Sequence, residues 1–250
     1  MAFSDPILFI ILCLSGAVAG FLNVLAGGGS ALTIPIMIFL GFDATVANGS
    51  NRIAIQVEAL TAVAAFKKQQ HSDFPLSLKL SLMTLPGGIV GAFYAVKIDD
   101  ELFTKILGFV MILIVISLVV PKSELVEHAK QHKWKNWLAW PVMFAVGFYG
   151  GFIQAGVGFV IMATLLHLYG MDLVKINMHK VFIVMVFTVP AVLVFIFTDN
   201  VNWFAAVALS VGMIIGTLIA VKLAITKGEK IVRMVLGVSL LIIAGKLLFL

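Results

Sequence analysis

The sequence predicts an all-α polytopic membrane protein made of two inverted repeats with glycine-broken membrane hairpins, about 8–10 membrane segments in all. Three observations carry that expectation. Of 250 residues, 62% are hydrophobic and only 12% charged, about half the charge of a soluble domain. Two long stretches, 7–42 and 136–171, hold no Asp, Glu, Lys or Arg. A series of motifs in the first half recurs in the same order in the second.

The composition also excludes. With a mean hydropathy of +1.14, a soluble core of this length could not hide the apolar surface, so lipid must be the solvent for much of it. A net charge of +5 and a pI near 9.4 do not point to nucleic acid, because the cations lie between apolar stretches and not along one face. The single cysteine, Cys13, rules out an intrachain disulfide and any Cys-based metal cluster. No His and carboxylate pair shows metal-ligand spacing, so no metal and no cofactor are expected. Ala17-Val18-Ala19 resembles a cleavage signature. However, Met1–Pro6 lacks Lys and Arg and the apolar stretch runs far past it, so a structural span is expected.

Taken along the chain, each charge-free stretch would be roughly 54 Å long as one helix, against ~30 Å of hydrocarbon. Each must break, and glycines mark the places: Gly27-Gly28-Gly29 in the first, Gly156 and Gly158 in the second. The remaining spans are expected near 44–66, 75–96, 102–120, 177–197, 201–221 and 231–249. The duplication rests on four matches. Ala26–Gly29 answers to Ala155–Gly158, and Gly41–Asn48 to Gly170–Asn177, both at an offset of 129. Gly87–Lys97 answers to Gly212–Lys222, and Ile106-Leu107-Gly108 to Val235-Leu236-Gly237. The organisation expected is a first repeat at 1–121, a cytoplasmic linker at 122–135 and a second repeat at 136–250. The Gly-x-x-x-Gly-x-x-x-Ala stripes at Gly87, Gly91 and Ala95, and at Gly212, Gly216 and Ala220, are read as close helix packing and not as substrate contact.

Positive charge orients the repeats. If each broken stretch crosses once, the repeats are parallel and the loop cations divide eight against seven. If each goes in and comes back, the repeats are inverted. Lys67, Lys68, Lys79, Lys122, Lys130, Lys133, Lys135, Lys175, Lys222, Lys227, Lys230 and Arg233 then share one side, against Lys97, Lys105 and Lys246 on the other. That bias favours inverted repeats, both termini periplasmic and a cell (inner) membrane location.

Inverted repeats with interrupted membrane helices are the layout of secondary transporters, which hold substrate near the midplane. The segments Gly27–Ser30 and Gly156–Gly158 are therefore candidate substrate walls, where helix N-termini would offer N–H groups to an anion. Glycines that merely permit a tight turn are the competing reading. Arg52 and Lys180 lie about nine residues past the turns at Asp43 and Asp172, hence near mid-depth. A cation there marks function by default. Asn48 and Asn177 stand four and three residues before them, and Ser50 and Asn51 align with His179 and Lys180. The candidate substrate-binding set is thus Gly27, Gly28, Gly29, Ser30, Asn48, Ser50, Asn51, Arg52, Gln154, Gly156, Gly158, Asn177, His179 and Lys180. The competing reading is snorkelling or pairing, for instance of Arg52 with Glu58. Glu58 is the carboxylate well inside a span, either a proton carrier in coupling or a counter-charge.

No catalytic residue is expected. Gly28-Gly29-Ser30-Ala31 lacks the closing glycine of a rhomboid-type nucleophile motif, and Phe159 holds the serine's place in the second copy. An intramembrane enzyme is the remote alternative. The stretch Gly20-x₆-Gly27-Gly28-Gly29-x₅-Pro35, followed by Gly41 and Ala47-x-Gly49-Ser50, resembles the sulfite exporter TauE/SafE family. It recurs more weakly at 151–170, where Thr164 replaces the proline. The resemblance implies export of sulfite, of sulfonates such as sulfoacetate, or of related anions. Import of an organic acid and a facilitative anion channel are the alternatives. The expected partners are a small anion, the lipid bilayer and, left open, a second copy in a homodimer, with no nucleic acid.

Overall fold

A computed structural model gives the fold and describes residues 5–69, 73–119 and 138–227. Among the described residues there are nine helices: α1 (Asp5–Leu25), α2 (Ser30–Phe39), α3 (Ala44–Lys68), α4 (Phe74–Ala95), α5 (Asp100–Val119), α6 (Ala139–Phe152), α7 (Val157–Tyr169), α8 (Leu173–Phe197) and α9 (Trp203–Lys227). The chain is an all-α membrane protein: α1, α4, α8 and α9 are each long and apolar enough to cross a bilayer. Their outward faces are greasy, as lipid requires. Ile7, Ile10, Leu14 and Val18 of α1 recur at helical spacing and are exposed, as are Val207, Val211, Ile215 and Leu218 of α9.

Local chemistry sets several of the ends. Asp73 accepts a hydrogen bond from the Leu76 amide and opens α4, with Pro75 in the first turn. Asp172 does the same for α8 through the Val174 and Lys175 amides. Gly41 and Gly170 follow α2 and α7 with positive φ, the usual helix stop. The start of α5 is docked on α3 by Asp100, which accepts from the amide and hydroxyl of Thr45.

Two breaks replace the two over-long helices. The first falls at 26–29, as the glycines predict. The second falls at 153–156, so Gly158 is already inside α7. Its use is different from a turn: a Cβ on Gly158 would collide with the backbone of Gly27, and a Cβ on Gly27 with that of Gly158. The two breaks therefore meet backbone to backbone. Two other expectations shift. α9 continues to Lys227, past the apolar limit near 221, because a helix can carry basic residues into the interface. The linker 122–135 and the span 231–249 lie outside the described residues.

Glycine stripes bind helices from different halves. α1 packs on α9, where Gly16 and Gly20 meet the backbone of Leu209 and Met213, while Gly212 and Gly216 meet that of Cys13 and Ala17. α4 packs on α6 in the same way through Gly87, Gly91, Gly147 and Gly151. In both pairs the numbers rise together, so the two helices run in the same direction. Around them α3 packs on α8 and α9, and α4 on α8. Exchanging the halves carries α1·α9 onto α6·α4, and α3·α9 onto α8·α4.

The same contacts place the ends. Gly49 and Ser50, early in α3, touch Asn200 and Asn202 at the start of α9. Since α9 starts where α1 starts, α1 and α2 together return the chain to the end from which it entered. His179, early in α8, meets Ser77 at the start of α4, so α6 and α7 likewise enter and return from the opposite end.

Candidate functional site

A polar core lies where the breaks meet, walled by α3 and α8. Its chemistry starts from a backbone problem. A helix that ends buried among other helices leaves its last four carbonyls in need of protein partners. α1 and α6 both end this way, at the contact between the breaks.

Lys180 answers the need for α1. Its ammonium donates to the carbonyls of Asn23 and Val24, each at 2.7 Å, and to the Asn177 side chain at 2.8 Å, with the Met162 sulfur at 3.8 Å. Arg52 answers it for α6. Its guanidinium donates to Gly150 at 3.1 Å, Gly151 at 2.6 Å and Phe152 at 3.2 Å. The Asn48 amide donates to the same Phe152 carbonyl, and the Phe195 ring lies 4.8 Å under the guanidinium carbon. Both cations thus sit at the negative ends of helix dipoles, which favours their charge. Both are fully buried, Arg52 at 0% and Lys180 at 2% exposure. Neither forms an ion pair among the described residues, and the pairing of Arg52 with Glu58 weighed from sequence is not found.

Beside Lys180 is a small cavity of ≈ 10 Å³ to water centres, the room of a single water. Asn23, Ser30, Glu58, Gln154, Gly158 and Lys180 supply its distinctive lining, with Ile55, Ala59, Val157, Val181 and Val184 as apolar wall. Glu58 accepts from the Asn23 amide at 2.5 Å through Oε2, while Oε1 has no partner. Gln154 is fully buried, yet neither Oε1 nor Nε2 has a partner. Its backbone is also strained: φ is 64°, in the left-handed region that a glutamine avoids. That conformation costs about 1–2 kcal/mol. Backbone strain and unmet polarity thus coincide at one buried residue of the second break.

The other expected site residues divide. Gly27 and Gly158 form the crossing itself, and the positive φ of Gly27, 87°, turns the chain out of α1. Gly156, with φ of 70°, caps α7. Gly29 caps α2, and the Gly28 and Gly29 carbonyls accept from the Ala31 and Leu32 amides, so part of the donor cradle at this N-terminus is spent in its own turn. A side chain at Gly28 would strike the Phe159 ring. Asn51 accepts from the Thr33 hydroxyl at 2.6 Å and ties α3 to α2. Ser50 accepts from the Asn202 amide at 2.8 Å, and His179 pairs with Ser77 at 2.8 Å. These two links join the start of α3 to α9 and the start of α8 to α4, away from the cavity. Asn48 and Asn177 support the two cations.

Asn23 was missed, although it is the only amide side chain in the charge-free stretch 7–42. A lone amide four residues before a glycine break is the signal that could have found it. Tyr149 had no such signal; its hydroxyl donates to the Ala155 carbonyl and braces the second break.

Comparison with known proteins follows the same lines. A model of the family described as "Sulfite exporter TauE/SafE" matches residues 12–247. The chain is 26% identical over 243 residues to "Probable membrane transporter protein ORF9" of a Sinorhizobium species, covering 96% of this chain and 92% of that one. It is 24% identical over 245 residues to a "Probable membrane transporter protein" of Haemophilus influenzae, covering 97% and 95%. It is 26% identical over 251 residues to "Probable membrane transporter protein YfcA" of Escherichia coli K12, covering 98% and 91%. No solved structure matches the chain significantly.

Proposed function

The chain belongs to the sulfite exporter TauE/SafE family, and from that premise we propose that it is a secondary transporter exporting a small anion, sulfite or an organosulfonate such as sulfoacetate. The anion binds between the two breaks, in the cavity beside Lys180. The observation that carries this reading is Gln154: a buried, strained amide with both polar atoms unpartnered, lining the same cavity as the buried Lys180. The two repeats are inverted, as the returning helix pairs and the half-for-half exchange of packing support. Both termini face the periplasm and the 122–135 linker the cytoplasm, in the cell (inner) membrane, which the distribution of loop cations supports.

With room for only one water, the cavity is an occluded state, and a three-oxygen anion enters when the hairpin tips part. The natural lines of parting are the Ser50–Asn202 contact toward one face and the His179–Ser77 contact toward the other.

The decisive experiment is net flux in proteoliposomes over a panel of sulfite, sulfoacetate and small carboxylates. Saturable sulfite or sulfonate flux, reduced in Gln154→Asn, is the expected outcome; flux of carboxylates alone would overturn it. Orientation is tested separately by cysteine labelling in a Cys13→Ser background. A cysteine near Asp199 should react from outside and one near Lys130 should not.

A further inference from the structure

We infer that the cavity binds its anion together with one proton, held between the ligand and Glu58, so that Glu58 is the proton-carrying residue and the filled site moves outward down the anion's own concentration gradient. The inference rests on the proposed anion site and on a count of donors and acceptors around it. Lys180 has three N–H groups, and all three are engaged by Asn23, Val24 and Asn177. The Asn23 amide is directed at Glu58 Oε2. What remains open in the cavity is the Gln154 amide, the Ser30 hydroxyl and the free Oε1 of Glu58.

An anion admitted here is served by the two Gln154 N–H donors. It also meets a carboxylate oxygen with no partner, and two anionic oxygens in contact repel strongly at low dielectric. One proton removes the conflict. It turns the contact into a hydrogen bond, whether the proton rides on Glu58 or on the ligand. The net charge of the filled site is then that of Lys180 plus Glu58 plus a monoanion plus the proton, which is zero.

The surroundings leave Glu58 as the group that responds. Lys180 of α8 faces it across the cavity. The facing groups from α1, α2 and the second break are neutral: Asn23, Ser30 and Gln154. α5 brings Asp100, Glu101 and Lys105, but these are in its first turns; Asp100 is held by Thr45, and the Glu101–Lys105 pair is exposed. α9 carries no ionisable side chain between Trp203 and Val221. On α3 itself, Arg52 is turned to the end of α6.

The test uses the full chain in lipid nanodiscs and two probes that stay fully ionised, methanesulfonate and the smaller nitrate. Affinity is measured by calorimetry over about three pH units around neutrality. In the parent, affinity should fall roughly tenfold per pH unit on the alkaline side, because one proton is taken up with each anion. In Glu58→Gln, which keeps size and hydrogen bonding without the charge, it should be flat and at least as tight. Two results overturn the inference while leaving the anion site standing: a flat profile in the parent, or an unchanged slope in Glu58→Gln, which would assign the proton to another group. Absence of binding by either probe at every pH overturns the anion site as well. If Glu58→Gln does not fold, the parent profile alone decides, since a flat one is fatal.

Discussion

α6 is closed by Arg52 and α1 by Lys180, yet the two closures differ in what stands beside them. The Arg52 side opens on no cavity lined with a carboxylate among the described residues. Three carbonyls, a supporting amide and the Phe195 ring occupy its surroundings, although Arg52 Nε and Asn48 Oδ1 stay without partners. The Lys180 side opens on a cavity shared with Glu58 and Gln154, two side chains with atoms still unpartnered. Counterparts at the offset of 129 sharpen the contrast: Phe187 answers to Glu58, and Leu25 to Gln154. The same backbone problem is thus solved twice, once away from the cavity and once beside it, where the anion site is proposed. A buried cation in a membrane protein is not by itself a ligand for substrate; its remaining neighbours decide.

The comparison can be broken at its centre. Gly27→Leu or Gly158→Leu should abolish folded protein, because each side chain would enter the other break's backbone and Gly27 also needs positive φ. Losses above about 4 kcal/mol are expected, read as absence of a monodisperse peak in detergent. Gly108→Ala, with open space around it, is the control and should behave as the parent. Survival of Gly158→Leu would show that the breaks do not press together.

The next effect separates the cations. Arg52→Gln should lower stability by about 2–4 kcal/mol, since it strands carbonyls at the end of α6, while anion affinity in the surviving protein changes little. Lys180→Gln should reduce affinity by roughly tenfold or more at a smaller loss of thermal stability. Thermal unfolding and calorimetry on the same preparations check both; equal losses of binding would erase the distinction drawn here. Gln154→Asn is milder. It tolerates the left-handed backbone but withdraws the amide, so stability should hold within about 0.5 kcal/mol while affinity falls about tenfold. The smallest effect is expected at the two outer links: Ser50→Ala and Ser77→Ala should each remove about 1 kcal/mol and leave affinity in place.

Much of this was legible in the sequence, for reasons that differ by level. The spans and both breaks follow from chain length against bilayer thickness, so 7–42 and 136–171 had to be interrupted. The placement of Arg52 and Lys180 two to three turns inside their helices also follows, from rise per residue. Their partners do not. An arginine or lysine side chain reaches several ångströms in any direction, and which helix end falls within reach depends on tertiary packing. For that reason sequence reasoning grouped Arg52 with Ser50 and Asn51 as one oxyanion cluster. Their partners instead lie on α6, on α9 and on α2 respectively. The second break begins earlier than its glycines suggest, because Gln154 takes the left-handed turn that a glycine would ordinarily supply.

The glycine stripes have a consequence in time. Each helix pair joins segments far apart in the order of synthesis. Gly16 waits for Leu209, roughly 190 residues later, and Gly147 for Thr84, only about 60 residues earlier. At ~5–20 residues per second, the second pair can form within about 3–12 s of α4 leaving the ribosome, whereas the glycine face of α1 stands without its partner for about 10–40 s. During that interval its glycine face and its open C-terminal carbonyls lack both α9 and Lys180, which is itself made late. The α4·α6 glycine pair can therefore close well before the α1·α9 pair, and the glycine face of α1 is the one left open longest during synthesis.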